Sequence, residues 1–292
     1  LRQMKCMNSW QPDPGVVSFE ADYVLSLRGT AQGAEIFGVE FNGEARSYPV
    51  RLILYHHQVR DVVGGRQVMV TYCNVCRTGR VFSPLVSGHL ETFRLVGMDH
   101  FNAMFEDAST GSWWRQANGE AIAGPRKGQR LATLDSQQMT LGLWLKLHPA
   151  SLVMQPDARF ADQYPRDTAY ERGTSRKKLT GTDPDSWADK SWVVGIELDG
   201  HSKAFDWNHL RTTRIVHDQI GSTPILLVLA EDDAGFTAYR RPTAESRYRL
   251  RDNVLVNASA PDDPPVTLPT IPATQEFWHS WRTFHPATER SP

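Results

Sequence analysis

Cysteine is scarce in this chain: three residues in 292, at positions 6, 73 and 76. So few cannot build the disulfide framework that stabilises small secreted domains. Long apolar runs are missing too. The longest, residues 224–230, is strand length, far below the ~18 residues a membrane-spanning helix needs. Neither sign of charge dominates: 32 basic and 33 acidic residues leave a formal net charge of −1, so no overall field draws in nucleic acid or an anionic lipid surface. The patterns GxxxxGK[ST], GxSxG and HExxH are absent, and no histidine directly follows the CxxC. Their absence removes the signatures of a P-loop, a hydrolase nucleophile elbow, a helical zinc protease site and covalent haem attachment.

What is present suits a globular protein with a real core: 40% apolar and 22% charged residues, in a chain long enough for one large domain or two ordinary ones. The chain opens on Leu1, not Met, so the natural N-terminus is expected to be missing, and with it any signal peptide or anchor.

An internal match appears at an offset of 157 residues, Gly38 against Gly195. Gly38-Val-Glu-Phe-Asn-Gly43 aligns with Gly195-Ile-Glu-Leu-Asp-Gly200. Arg46 then meets Lys203, Tyr48 meets Phe205, Val59 meets Val216, Asp61 meets Asp218 and Gly64 meets Gly221. A second match pairs Leu143-Trp144 and His148-Pro149-Ala150 with Ser280-Trp281 and His285-Pro286-Ala287. The expectation is an α+β, β-rich protein of two structurally similar halves from an internal duplication, related by a pseudo-twofold axis. Its parts are an N-terminal extension (1–34), a first copy (35–155), an irregular connection (156–190) and a second, structural copy (191–292).

Within each copy the local signals agree. Residues 37–41 alternate, and Asn42-Gly43 and Asp199-Gly200 are strong hairpin turns. Leu52, Ile53, Tyr55, His56 and Val59 have helical spacing. Residues 67–72 read as a strand rich in Val and Thr. Residues 139–147 and 275–284 read as helices, each stopped by His-Pro. In the connection, Arg176-Lys177-Lys178 is a weak phosphate-binding candidate against a solvated loop.

Cys73-Asn-Val-Cys76 directly follows the strand. A CxxC on a turn can bring two sulfurs together for a disulfide or for one metal ion. His56 lies 17 residues before Cys73, on the helix ahead of the strand, and is expected to reach over the strand's end. At the matched positions of the second copy stand Thr213, Ala230 and Asp233. All three groups change together, as a functional unit would. Met98 and His100 are candidate fourth ligands, with His100 and Asp107 as candidate catalytic residues. Each has a plainer reading: a surface histidine, a turn-forming aspartate, and a helix-end position for His56-His57. His89 and the Trp113-Trp114 pair read as surface and core.

These residues carry a resemblance. Tyr55-His56, Asp61, Gly64-Gly65, Val-Thr-Tyr-Cys-x-x-Cys-x-Thr-Gly at 70–79, Asp107-x-x-Thr110-x-Ser112-x-Trp114-x-Gln116 and Gly119-Glu-Ala-Ile-Ala-Gly-Pro125 resemble a prokaryotic family known as domain of unknown function 3179. Asn74 stands where members often have Pro, and Arg60 where they often have Asn. The resemblance implies an extracytoplasmic setting and supplies no reaction.

Three functions are weighed. The first is a Cys2His metal site of His56, Cys73 and Cys76, with an open position as in catalytic sites, belonging to a metal-dependent oxidoreductase. Soft ligands favour copper, with zinc second. The second is a metal-free thiol–disulfide redox site in which His56 activates a cysteine. The third is a binding module stapled by a disulfide. No nucleic-acid partner and no membrane span are expected, and the small-molecule or redox partner is not named by the sequence.

Overall fold

The computed structural model describes residues 33–160, 162, 164, 182–260 and 262–291. Cys6 and Arg176-Lys177-Lys178 lie outside them. The chain divides into two compact units, Leu1–Gly181 and Thr182–Pro292.

The first unit runs β1 (Glu35–Phe41), β2 (Glu44–Pro49), helix α1 (Val50–His56), β3 (Gln58–Val63), β4 (Arg66–Cys73) and β5 (Thr78–Phe82). A short pair, β6 (Leu85–Val86) and β7 (His89–Leu90), precedes β8 (Phe93–Asp99), β9 (Asn102–Asp107), β10 (Trp113–Arg115) and β11 (Ala121–Ala123). Then come β12 (Gln137–Thr140), α2 (Leu141–Leu147), β13 (Leu152–Val153) and a 3₁₀ turn at Ala158–Phe160. Its sheets are β12-β1-β2-β13, β3-β4-β5 and β11-β10-β9-β8, with the small β6-β7 pair beside them.

The second unit runs β14 (Trp192–Leu198), β15 (His201–Asp206), α3 (Trp207–Thr213), β16 (Ile215–Ile220), β17 (Thr223–Leu229) and β18 (Phe236–Arg240). It continues with β19 (Tyr248–Arg251), β20 (Val254–Asn257), β21 (Thr270–Ile271), β22 (Thr274–Phe277), α4 (Trp278–Phe284) and β23 (Glu289–Arg290). Its sheets are β22-β14-β15-β23, β16-β17-β18-β21 and the two-stranded β19-β20.

The expected α+β protein of two similar halves is corrected by this architecture. The protein is β-rich, 47% strand and 13% helix, and its described residues form five sheets of three or four strands. Three belong to the first unit and two to the second, so the units are not equivalent halves. The β8–β11 sheet is the first unit's own; between β18 and β21 the second unit has only the β19-β20 hairpin. What the offset of 157 detects is a local element string. A hairpin leads into a two-turn helix and a further pair of strands, and the string closes with strand, helix and a parallel edge strand. The strand 225–229 packs in the core of its own unit, with Trp192, Phe205 and Trp207.

Close packing explains the repeated residues. A Cβ on Gly38 would fall 2.3 Å from the Trp144 ring, and one on Gly195 would fall 2.2 Å from Trp281. Each glycine lets an indole lie flat on its strand. Helix reading at the edges is also corrected. Val59 leaves the helical pattern because α1 stops at His57, whose backbone is left-handed (φ 60°) and whose N–H bonds the Ile53 carbonyl at 2.6 Å; Val59 lies in β3. Residues 137–140 and 274–277 are strands paired to β1 and β14, so the helices begin only at Leu141 and Trp278.

Candidate functional site: a buried dithiol at the end of β4

Side chains alternate across a strand, and β4 sits between two cores. Val68, Val70 and Tyr72 face Val50, Leu52 and Ile53 of α1. Met69 and Cys73 face the other way, into a core with Cys76, Phe82, Phe93, Ala103 and Trp114. After Cys73 the turn Asn74-Val-Cys-Arg77 closes onto β5, with Cys73 opposite Thr78. Gly79 is required next: a Cβ there would lie 1.8 Å from the Phe37 ring.

Both cysteines are free thiols and buried, Cys73 at 3% exposure and Cys76 at 0%. Cys73 Sγ donates to the Phe101 carbonyl at 3.5 Å. The Cys76 side chain, hydrogen-bonded to Cys73, is the main influence holding the Cys73 thiol below its ordinary value. Burial opposes it, and the backbone N–H groups of Cys76, Ala103 and Val75 add to the lowering. A sulfur facing several donors is prepared to carry thiolate charge.

The turn is anchored by a group that the sequence reading passed over. Arg77, buried and left-handed (φ 55°), donates to both carboxylate oxygens of Glu35 on β1 at 2.8 Å, and Gln138 also donates to Glu35. Polar side chains line the floor. Gln116 Nε2 donates to Thr71 Oγ1 (3.1 Å) and the Thr78 carbonyl (2.9 Å), and Asn102 Nδ2 donates to Thr78 Oγ1 at 3.2 Å. Arg77 belongs to no chemical motif and its only signal was adjacency to the CxxC; Gln116 stood in the sequence only as the last residue of the resemblance motif at 107–116.

His56 is placed elsewhere. It rides on α1, which covers the Tyr72 face of β4, whereas Cys73 lies on the opposite face. Its Nε2 meets the Tyr164 hydroxyl at 2.7 Å, and its ring sits edge-on to Tyr55, Phe160 and Tyr164 at 4.9–5.5 Å between centroids. The Tyr164 hydroxyl accepts the Asp157 N–H at 3.1 Å, which leaves its own proton for His56. The histidine beside the cysteine strand is His57, whose Nδ1 lies 3.3 Å from the Tyr72 carbonyl. Burial pushes the His57 imidazole below its usual value.

Among the described residues, no three or more His, Cys, Asp or Glu side chains are grouped to hold a metal ion. The Cys2His set of His56, Cys73 and Cys76 is therefore not assembled; period-two alternation separates its histidine from its sulfurs. Met98 pairs with Ala103 across the β8–β9 hairpin. His100 is 64% exposed and bonds Asp99 at 2.7 Å. Asp107 is locked into a turn: it accepts the Thr110 N–H at 2.6 Å, the Thr110 hydroxyl at 2.8 Å and the Trp114 indole at 2.8 Å. These bonds match the turn-forming reading of that aspartate.

A cavity of about 460 Å3 in the second unit is lined by Lys203, Asp218, Gln219, Arg241, Arg247 and Glu289 among others. Its cations are engaged: Lys203 pairs with Asp218 at 2.9 Å, and Arg241 donates to the carbonyls of Asp218, Ile225, Ala244 and Ser246. It holds no thiol.

The molecule is thus a β-rich protein with one buried vicinal dithiol at a strand-to-turn junction. It belongs to the family described as Protein of unknown function (DUF3179), whose model matches residues 18–288. No curated protein and no solved structure matches the chain. No helix among the described residues is long and apolar enough to cross a membrane.

Proposed function

We propose that this chain is a thiol-based redox protein in which Cys73 and Cys76 cycle between dithiol and disulfide. One observation carries the reading: the two free thiols lie side by side in one buried core and hydrogen-bond to each other, with backbone N–H groups turned toward the Cys73 sulfur. The chemistry is a two-step exchange. Cys73 thiolate attacks one sulfur of an incoming disulfide, and one thiolate leaves. Cys76, deprotonated as it attacks, then displaces the second thiolate, so two electrons and two protons pass to the partner. His56 has a structural part here, as it is held by Tyr164. An extracytoplasmic setting, implied by the family resemblance, would provide the oxidant.

The test is redox titration of the whole protein purified without chelator, with thiols counted by alkylation and intact mass. The expected result is one reversible dithiol–disulfide couple, lost in both Cys73→Ser and Cys76→Ser. Metal is measured on the same sample. Stoichiometric copper or zinc, retained in wild type and lost in both serine variants, would replace this reading with a thiolate metal site. A pair that is never oxidised and never metallated would leave a structural core.

A further inference from the structure

Four residues, Asp99 to Asn102, form the tip of the β8–β9 hairpin. The last pair is Asp99 with Asn102, so His100 and Phe101 alone make the turn. Both are left-handed, with φ 48° and 69°. Two-residue turns of this kind are normally made by Asn and Gly, because a Cβ is disfavoured there. Phe101 is also 65% exposed, so its ring is not buried in compensation. The tip is therefore a costly backbone conformation for two residues that both carry a Cβ.

The same tip touches the dithiol. The Phe101 carbonyl accepts from the Cys73 thiol at 3.5 Å, and the Ala103 N–H is directed at the Cys73 sulfur. At the base of the hairpin, Asn102 is fixed independently by its bond to Thr78.

We propose that the His100–Phe101 tip responds to the oxidation state of the Cys73–Cys76 pair, tethered over Cys73 when the thiol is present and released when the disulfide forms. The inference rests on the redox reading above. When the S–S bond forms, both S–H bonds break. With a diazene oxidant such as diamide, the two protons and two electrons pass to its N=N bond, giving the hydrazine. Cys73 then has no S–H for the Phe101 carbonyl, and the Ala103 N–H faces a disulfide sulfur, a poorer acceptor. One tether goes and the other weakens while the strained backbone remains, and Asn102 confines the release to the tip. Phe101, already facing solvent, is then the side chain whose presentation changes most.

Hydrogen exchange of the whole protein, reduced with dithiothreitol or oxidised with diamide, tests this. Intact mass reports the loss of two hydrogens in the same samples. Amide exchange across residues 100–103 is expected to rise roughly five- to tenfold on oxidation, the scale of losing one hydrogen bond, while exchange across β4 and β5 stays unchanged. In His100→Asn/Phe101→Gly, whose turn is relaxed without a tether, the rise is expected to be at least halved. A disulfide that forms with no change at 100–103 would overturn the tip proposal and leave the redox reading standing. Absence of any disulfide under diamide would bring down both.

Discussion

Helices α1 and α3 end in the same way and lead to different chemistry. Each leaves through a left-handed residue, His57 at φ 60° and Arg214 at φ 63°. Each exit residue's carbonyl accepts from the following long strand, from Tyr72 N at 3.2 Å and from Leu229 N at 2.8 Å. Beyond that point the regions part. In the first unit the strand end bears two buried thiols and a turn anchored by the buried Arg77–Glu35 pair. In the second, Ala230 and Asp233 stand there, and Arg214 closes the loop on the surface, bonding Asp233 at 2.5 Å and the Ala230 carbonyl at 2.6 Å. The strand and its turn therefore form without sulfur. A CxxC is not what this corner needs in order to fold, which weakens the staple reading and leaves the thiols free for chemistry.

Substitutions can break that comparison. The largest effect is expected where the units agree. Trp144→Ala and Trp281→Ala each empty the space beside a strand glycine and should cost about 3–5 kcal/mol in denaturant unfolding. If one cost far less than the other, the shared packing would not be equally important in the two units. Next comes the point where they differ. Arg77→Met strands the buried Glu35 carboxylate, a loss of about 3–5 kcal/mol for an isolated buried charge, softened here by Gln138. Arg214→Met removes only a partly exposed pair, typically worth about 0–1 kcal/mol. Equal losses in the two variants would mean that Arg77 does not anchor the dithiol turn. Smaller again, Cys73→Ala/Cys76→Ala should unfold at a denaturant midpoint close to wild type, about 1–3 kcal/mol lower as a core truncation, because Ala230 already fills the matching place. Failure to fold would restore the staple reading.

Much of this was legible in the sequence, and the failures have physical causes. Asn42-Gly43 and Asp199-Gly200 do make the hairpin turns, with both residues of each pair left-handed. The strand before the CxxC and the pairing of its two cysteines follow from local signals. The face on which His56 lies does not. Alternation alone puts Tyr72 and Cys73 on opposite sides of β4, but which side the helix covers is decided by Leu52 and Ile53 packing on Val70 and Tyr72. The partners of His56, Phe160 and Tyr164, come from the aperiodic segment more than 100 residues on, where no spacing rule reaches. The α+β expectation failed for a related reason. Helical spacing over five or six residues gave only two-turn helices, and the β8–β11 sheet lies where the internal match is silent.

The smallest expected effect is a pH dependence confined to one of the two corners. Burial depresses the His57 imidazole, opposed by its bond to the Tyr72 carbonyl; the matching corner of the second unit has Arg214. Above the unfolded value of about 6.5, His57 is neutral in both states and contributes no slope. As pH falls below that value, the unfolded chain takes up a proton that the folded chain refuses, so stability declines until the depressed folded value is passed. Lowering pH from about 7 to about 5 should therefore lower Tm in wild type. The decline should be shallower in His57→Asn, since Asn tolerates the left-handed corner and does not titrate. His217, also depressed by burial and by Arg241 and Arg247, keeps part of the slope in that variant. Arg214→Asn should reproduce the wild-type slope. Thermal melts across this range that run parallel in wild type and His57→Asn would remove His57 as the acid-sensitive group and leave His217 to account for the whole dependence.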